Sequence, residues 1–93
     1  MAKEIIWSDN AEQDLLAVVV YLKNEWSVKI AETFLLAVHQ KANLLSVQPF
    51  LGRKTSFRSD LRKFFVTKYN IFFYSVHKNQ IIIHRVKDTR RIA

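Results

Sequence analysis

The 93-residue sequence contains no cysteine, one proline and one glycine. Without cysteine the chain has no disulfide, no thiolate ligand for zinc and no thiol nucleophile. A single glycine excludes a glycine-rich phosphate-binding loop. The three histidines, His39, His77 and His84, show no metal-ligand spacing. The sequence therefore predicts no metal site and no cofactor.

Long apolar runs are also absent. No stretch approaches the roughly 20 apolar residues that a membrane-spanning helix needs. The apolar part of residues 1–7 is too short for a signal peptide. We therefore expect a cytoplasmic protein that does not associate with a membrane. At this length we expect a single domain over residues 1–93 with a small core.

Acidic residues are scarce in the second part of the chain. Residues 1–52 carry four lysines against six acids, whereas residues 53–93 carry eleven lysines and arginines against Asp60 and Asp88. Such asymmetry indicates a polyanionic partner, either nucleic acid or an enzyme that works on it. The alternative is a solvated basic surface that only aids solubility. The shortage of carboxylates argues against glycosidase-type acid–base chemistry and metal-assisted hydrolysis.

The hydrophobic pattern predicts an α+β protein with the order β-α-α-β-β-β. Ser8-Asp9-Asn10 offers an N-cap for the first helix, with Glu12 three residues after Asp9 as in a capping box. Ser27 is the candidate N-cap of the second helix, and Pro49 ends that helix. Short turns make the last three strands antiparallel neighbours, so a helical hairpin should pack on a largely antiparallel four-stranded sheet. The predicted elements are a strand at 4–7, a first helix that ends at about 24, a second helix from about 28 to 47, a loop at 50–59, and strands at 61–67, 71–76 and 81–86.

Alternation along the strands predicts which side chains share a face. Arg62 should lie opposite Lys63, and Arg85 should share a face with Ile83 while His84 takes the other. One face should pack on the helices, and the other should keep a shallow apolar floor with cations at its margins. Aromatic residues at element boundaries usually bury apolar area, so we expect Trp7, Tyr21 and Trp26 to pack between hairpin and sheet rather than to stack on bases. We also expect His39 to be a structural residue near the core.

The cations of the second part are the candidate site. Arginines clamp phosphates and stabilise the charge that develops when a phosphodiester is cleaved, and the ordinary histidine pKa of about 6.5 suits proton transfer. For each arginine the alternative is plain surface charge or an ion pair with Asp60 or Asp88, and for His84 it is a packed, hydrogen-bonded ring. The candidates are Arg62, Arg85, Arg91 and His84 for catalysis, and Arg53, Lys54, Arg58, Lys63 and Arg90 for binding nucleic acid or another target.

Four segments, taken in order, cover nearly the whole chain. They are Tyr21-Leu22 with Trp26-Ser27, Ala31 and Phe34-Leu35; Leu45 with Pro49 and Gly52-Arg53; Arg62 with Lys68-Tyr69-Asn70 and the strand after it; and Ile83-His84-Arg85 through Arg90-Arg91. As an ordered set they resemble the RelE/ParE toxin superfamily. The resemblance implies the same β-α-α-β-β-β layout and a cognate antitoxin that wraps the toxin in a hetero-oligomer.

The resemblance implies one of two targets. Some relatives cut mRNA on the ribosome without a metal, and others poison DNA gyrase and cut no RNA. Arg62, Arg85 and one of Arg90 or Arg91 match arginines shared by the superfamily. Ribonuclease members often carry an aromatic residue or histidine past the last arginine, where this sequence has Ile92-Ala93. We therefore expect a growth-inhibiting, ParE-like plasmid stabilisation toxin directed at gyrase. The alternatives are a ribosome-dependent mRNA endoribonuclease and a non-enzymatic binding module or inactive relic, so enzyme activity stays open.

Overall fold

The computed structural model describes residues 2–89 of the chain. A helical hairpin packs against one face of a mostly antiparallel sheet, so the predicted α+β class and the order of the predicted elements are confirmed. Within this range no helix is long and apolar enough to span a bilayer. The elements are β1 (Glu4–Trp7), α1 (Asp9–Glu25), α2 (Val28–Val47), β2 (Arg53–Lys54), β3 (Arg62–Thr67), β4 (Asn70–Val76) and β5 (Gln80–Asp88).

The sheet has five strands rather than the predicted four, in the order β1-β5-β4-β3-β2. β1 runs parallel to β5, and the other neighbours are antiparallel. The additional strand is β2, in which Arg53 and Lys54 pair with Lys63 and Arg62. A strand of two residues is too short to leave a period-two pattern, which is why the sequence predicts a loop there.

Both helices begin at a serine. Ser8 Oγ accepts a hydrogen bond from the Ala11 N–H, and Ser27 Oγ accepts one from the Ile30 N–H. Each cap satisfies one of the backbone donors that a helix start leaves without a partner. The helices then bury apolar stripes against the sheet. The core includes Ala11, Phe34, Val38, Leu45, Val66, Phe72, Tyr74, Ile81, Ile83 and Val86.

The predicted burial of the boundary aromatics is right for one residue and wrong for two. Trp7 packs edge-to-face on Phe72, with 5.5 Å between ring centroids. Trp26 is 70% exposed and Tyr21 is 45% exposed, because Trp26 follows the last residue of α1 and Tyr21 lies outside the packed stripe. His39 is also exposed, contrary to expectation. It follows the buried Val38, and successive helical residues point about 100° apart.

A β-bulge in β5 changes the face of Arg85. Phe73 pairs with Arg85, but the next residue, Tyr74, pairs with Ile83, so His84 is an extra residue in the ladder. The bulge resets the alternation, and Val86 joins Ile83 in the core. The prediction that Arg85 shares a face with Ile83 is therefore wrong.

The loop after α2 is attached to the sheet by Tyr74. The Tyr74 hydroxyl donates to the Pro49 carbonyl at 2.8 Å and accepts from the Gly52 N–H at 2.9 Å. Burial raises the pKa of Tyr74, against the lowering effects of the Gly52 hydrogen bond and Arg62. A Cβ at position 52 would lie 2.5 Å from the Tyr74 hydroxyl oxygen and 2.7 Å from the Lys63 carbonyl oxygen. Only glycine fits there.

We expect Tyr74→Phe to lower the free energy of unfolding by about 1–3 kcal/mol, because the buried Gly52 N–H loses its acceptor. Urea unfolding should show a lower midpoint with an unchanged slope. Tyr21→Phe, which removes a hydroxyl from an exposed ring, is the matched control and should change little. Equal midpoints for the two variants would contradict the role of Tyr74.

Candidate functional site

The sheet face opposite the helices, which we call the open face, carries a row of cations. Arg53 pairs with Lys63, Lys63 with Phe73, and Phe73 with Arg85. Directly opposed residues of neighbouring strands share a face, so these four side chains form one row across β2, β3, β4 and β5. We call its three charged members, Arg53, Lys63 and Arg85, the cation row; Phe73 lies between Lys63 and Arg85. A shorter row on the same face ends at Lys87. Residues distant in sequence thus bring positive charges to one face of the sheet.

A cleft of about 570 Å³ lies at the β5 end of the open face. The ring of Phe57, from the loop before β3, lies 6.1 Å from that of Phe73 and helps to form an apolar floor. This arrangement matches the expected shallow floor with cations around it. Residues lining the cleft include Phe57, Leu61, Phe73, Arg58, His84, Arg85 and Lys87.

Arg85 is held by a carboxylate from the helical hairpin. Its Nε and Nη2 donate to the two oxygens of Asp14 at 2.8 and 3.0 Å, and the Val86 N–H donates to Asp14 Oδ2 at 2.9 Å. Burial alone would raise the pKa of Asp14, but the hydrogen bonds from Arg85 and Val86, with the nearby positive charges, lower it. Asp14 is therefore ionised at neutral pH and offsets the Arg85 charge. The expected partners of the arginines were Asp60 and Asp88, so this pairing differs from both.

Arg58 forms the second ion pair at the cleft. It contacts Asp60 at 2.6 Å, as the sequence alternative proposed, and both side chains are largely exposed. The hydrogen bond from Arg58 lowers the pKa of Asp60. Exposed pairs of this kind contribute little stability. Within residues 2–89, the side chains of Arg53, Lys54, Lys63 and Lys87 form no ion pair.

Arg62 lies away from Arg85. It pairs with the buried Tyr74, so it is on the helix side of the sheet. Its Nη1 donates to the Gly52 carbonyl at 2.7 Å, and its guanidinium lies 4.9 Å from the centre of the Phe50 ring. Lys54, directly opposite Arg62, lies on the same side. The structure therefore does not bring the two predicted catalytic arginines together. Arg90 and Arg91 are outside the described residues.

His84 belongs to a hydrogen-bonded chain on the open face. Its Nε2 lies 2.8 Å from Ser75 Oγ, and His77 Nε2 lies 2.7 Å from the same oxygen. Burial lowers the pKa of His84, and Arg58 and His77 lower it further against the opposing effect of Asp60. The ring is thus neutral at neutral pH. Sequence reasoning missed Ser75, although the alternation along β4 places it on the same face as Phe73.

The site has the donors for binding anions but not for holding a metal. Among residues 2–89, no three His, Asp or Glu side chains are placed to share a metal ion. Cations around an apolar floor can instead bind a polyanion or an acidic protein surface, and the neutral imidazole of His84 can exchange a proton.

Comparison with known proteins agrees with the fold. The family model for the ParE toxin of the type II toxin–antitoxin system parDE matches residues 5–93. No curated protein matches the sequence significantly. Among solved structures, the chromosomal ParDE toxin–antitoxin system from P. aeruginosa contains a chain with a TM-score of 0.80 and 16% identity. That match covers 94% of this chain and 96% of the other.

Two further solved structures share the fold at lower similarity. A chain of the E. coli DinJ-YafQ toxin–antitoxin complex has a TM-score of 0.62 at 13% identity. That match covers 99% of this chain and 98% of the other. A conserved hypothetical protein of Helicobacter pylori has a TM-score of 0.64 at 14% identity, with full coverage of both chains. The fold is thus one that toxins of the ParE and YafQ kinds share. The match over residues 5–93 shows that the chain belongs to the ParE toxin family of type II toxin–antitoxin systems.

We expect this toxin to lose stability as the pH falls below about 6.5, the ordinary histidine pKa. Folding lowers the pKa of His84, so the unfolded chain takes up that proton first. The contribution of His84 to the free energy of unfolding is complete at a pH above the pKa that His84 has in the unfolded chain. It is lost as the pH falls through the lower pKa that His84 has in the folded protein. Urea unfolding across this range should show the loss in the wild type and a smaller loss in His84→Gln, whose amide does not titrate.

His39→Gln is the matched control, because His39 is exposed on α2 and outside the hydrogen-bonded chain. It should keep the pH dependence of the wild type. If His84→Gln kept the same dependence, His84 would not be the group responsible.

Proposed function

We propose that this toxin inhibits growth by binding DNA gyrase through the open face, and that it does not cut RNA. The observation that carries the proposal is the two-hydrogen-bond ion pair between Arg85 and Asp14. A guanidinium bound in this way has its charge partly cancelled and its donors directed at a carboxylate. It is poorly placed to stabilise a second anion.

Metal-free RNA cleavage needs a cation at the reacting phosphate and an acid–base pair beside it. Here Arg62 is on the helix side of the sheet and Arg85 is paired with Asp14. The Nε2 atom of His84 is bound to Ser75. His84 and Arg85 line the same cleft, but Arg62 is not beside them and the Arg85 guanidinium is directed at Asp14, which favours binding over catalysis.

The cations without a carboxylate partner support binding to a large anionic target. Arg53 and Lys63 lie side by side in the cation row, and Lys87 lines the cleft. Cations spread over a sheet face attract an acidic or nucleic-acid-bearing assembly and speed its association. DNA bound to gyrase is a polyanion of this kind, and the resemblance to toxins that poison gyrase favours this target.

We expect purified toxin to trap cleaved DNA in a gyrase supercoiling assay. Lys63→Glu should weaken this effect about tenfold, because it reverses a charge at the centre of the cation row. Lys29→Glu makes the same change at an exposed position on α2 and should have little effect. Unaltered gyrase activity at excess toxin would reject the proposal.

The same preparations separate the alternatives. Codon-positioned mRNA cuts in a translating extract, weakened by Arg85→Ala, would establish a ribosome-dependent ribonuclease. Normal growth on expression without any antitoxin would instead favour a binding module or inactive relic.

We also infer that a cognate antitoxin covers an apolar groove on the other side of the molecule. The groove, of about 610 Å³, lies between the hairpin and the ends of β4 and β5. Trp26, Tyr21 and Ile30 line it and are 70%, 45% and 45% exposed. Exposed apolar patches of this kind mark protein-binding sites, and two of the similar structures come from toxin–antitoxin systems. An amphipathic segment with apolar anchors would fit the groove.

We expect Trp26→Ala to weaken antitoxin binding by about 2 kcal/mol, or roughly 30-fold, because tryptophans dominate such interfaces. Calorimetric titration with the cognate antitoxin measures the change. Leu36→Ala, a truncation at an exposed α2 position that does not line the groove, is the control. Equal affinities for both variants would place the antitoxin elsewhere.

A further inference from the structure

The hydroxyl of Ser75 lies between the imidazole of His77 at the surface and the imidazole of His84 in the cleft. The serine is 4% exposed, His77 is exposed, and His84 lines the cleft. Both imidazoles place Nε2 within hydrogen-bond distance of Ser75 Oγ. We propose that protonation of His77 determines, through Ser75, which nitrogen of the neutral His84 ring carries the proton, and hence whether His84 presents a donor or an acceptor to a ligand in the cleft.

The proposal follows from counting protons. A serine hydroxyl donates one hydrogen bond and accepts up to two, and a neutral imidazole has one N–H and one acceptor nitrogen. With both rings neutral, two directions of the chain satisfy every group. Either His77 donates to Ser75 and Ser75 donates to His84, or the reverse. His84 carries its proton on Nδ1 in the first case and on Nε2 in the second.

A protonated His77 allows only the first direction. Both nitrogens of imidazolium are donors, so His77 Nε2 must donate to Ser75 Oγ. The Ser75 proton then needs His84 Nε2 as its acceptor, since a buried hydroxyl without an acceptor is unfavourable. His84 therefore holds its proton on Nδ1 while it stays neutral. A charge change at the surface becomes a change of hydrogen-bonding character in the cleft.

The second nitrogen of His84 is available for this purpose. Nδ1 makes no hydrogen bond within residues 2–89, and no buried side-chain nitrogen or oxygen in that range lacks a partner. Nδ1 is therefore not buried, and the residue that carries it lines the cleft. An N–H there complements an anion beside Arg58 and Lys87, whereas a lone pair repels it.

The surroundings of His84 disfavour a proton on its ring. His84 is partly buried, and it lies near cations of the loop before β3 and of its own strand, β5. His77, in contrast, is in contact with solvent. The charged groups to consider are Arg58 and Asp60 from the loop before β3, Arg85 and Lys87 from β5, Asp14 from α1, and Lys3 and Lys78 beside His77. Asp60 and Asp14 are already paired with Arg58 and Arg85.

Long-range ¹H–¹⁵N correlation spectra test the proposal, because they distinguish the two neutral tautomers and the charged ring. The sample is full-length toxin with ¹⁵N-labelled histidine, titrated from about pH 8 to about pH 5, the range in which histidine titrates. As His77 becomes charged, neutral His84 should shift from a tautomer mixture to roughly 90% Nδ1–H, the population that a tenfold bias gives.

His77→Ala removes the group that sets the direction, so neutral His84 should keep an unchanged tautomer ratio over the same titration. Ser75→Ala should disconnect the rings in the same way. His39→Gln should behave as the wild type. His77 is exposed, so its variant keeps the test valid even if Ser75→Ala fails to fold. The proposal is overturned if the tautomer shift persists in His77→Ala, or if His84 itself becomes charged together with His77. Neither outcome depends on the toxin's target.

Discussion

The carboxylate of Asp14 stabilises the part of β5 that β1 leaves uncovered. β1 pairs with β5 only as far as Ile83, after which the chain turns into α1. Beyond that point the Val86 N–H donates to Asp14, and the Ser8 hydroxyl donates to the His84 carbonyl. Polar groups of the first helical turns thus occupy positions that a neighbouring strand would otherwise fill. The arrangement protects an open edge and joins the hairpin to the sheet.

The bulge at His84 lies at this same point. An extra residue in a ladder re-aims the side chains on either side of it. Because of the bulge, Arg85 leaves the face of Ile83 and lies on the open face with Phe73, where Asp14 can still reach it. Without it, strict alternation would place Arg85 against the apolar core. The cleft therefore depends on one irregular residue and on the carboxylate that holds the strand beside it.

Local patterns along the chain account for the parts of the fold that the sequence predicts correctly. Serine caps, the stripe through Phe34 and Val38, and the β-branched strands specify two helices and a sheet, and the charge asymmetry predicts a basic face. The ion pair of Arg85 with Asp14 joins positions 71 residues apart, and no local pattern reports it. The bulge is invisible for the same reason, since alternation is what a strand prediction assumes. Trp26 and Tyr21 are mispredicted because burial depends on where the hairpin ends relative to the sheet.

Arg62 has structural contacts where the resemblance to known toxins implied a functional role. The resemblance led us to expect Arg62 in a functional site, yet its guanidinium lies over Phe50 and donates to the Gly52 carbonyl. Tyr74 also binds this loop, through Pro49 and Gly52. Arg62 and Tyr74, on adjacent strands, therefore both attach the loop after α2 to the sheet. In this chain the contacts of Arg62 are those of a residue that attaches the loop to the sheet. The open face then owes its charge mainly to Arg53, Lys63 and Lys87, because Asp14 offsets the charge of Arg85. Cations arranged in this way suit a surface that binds a partner more than a centre that performs chemistry.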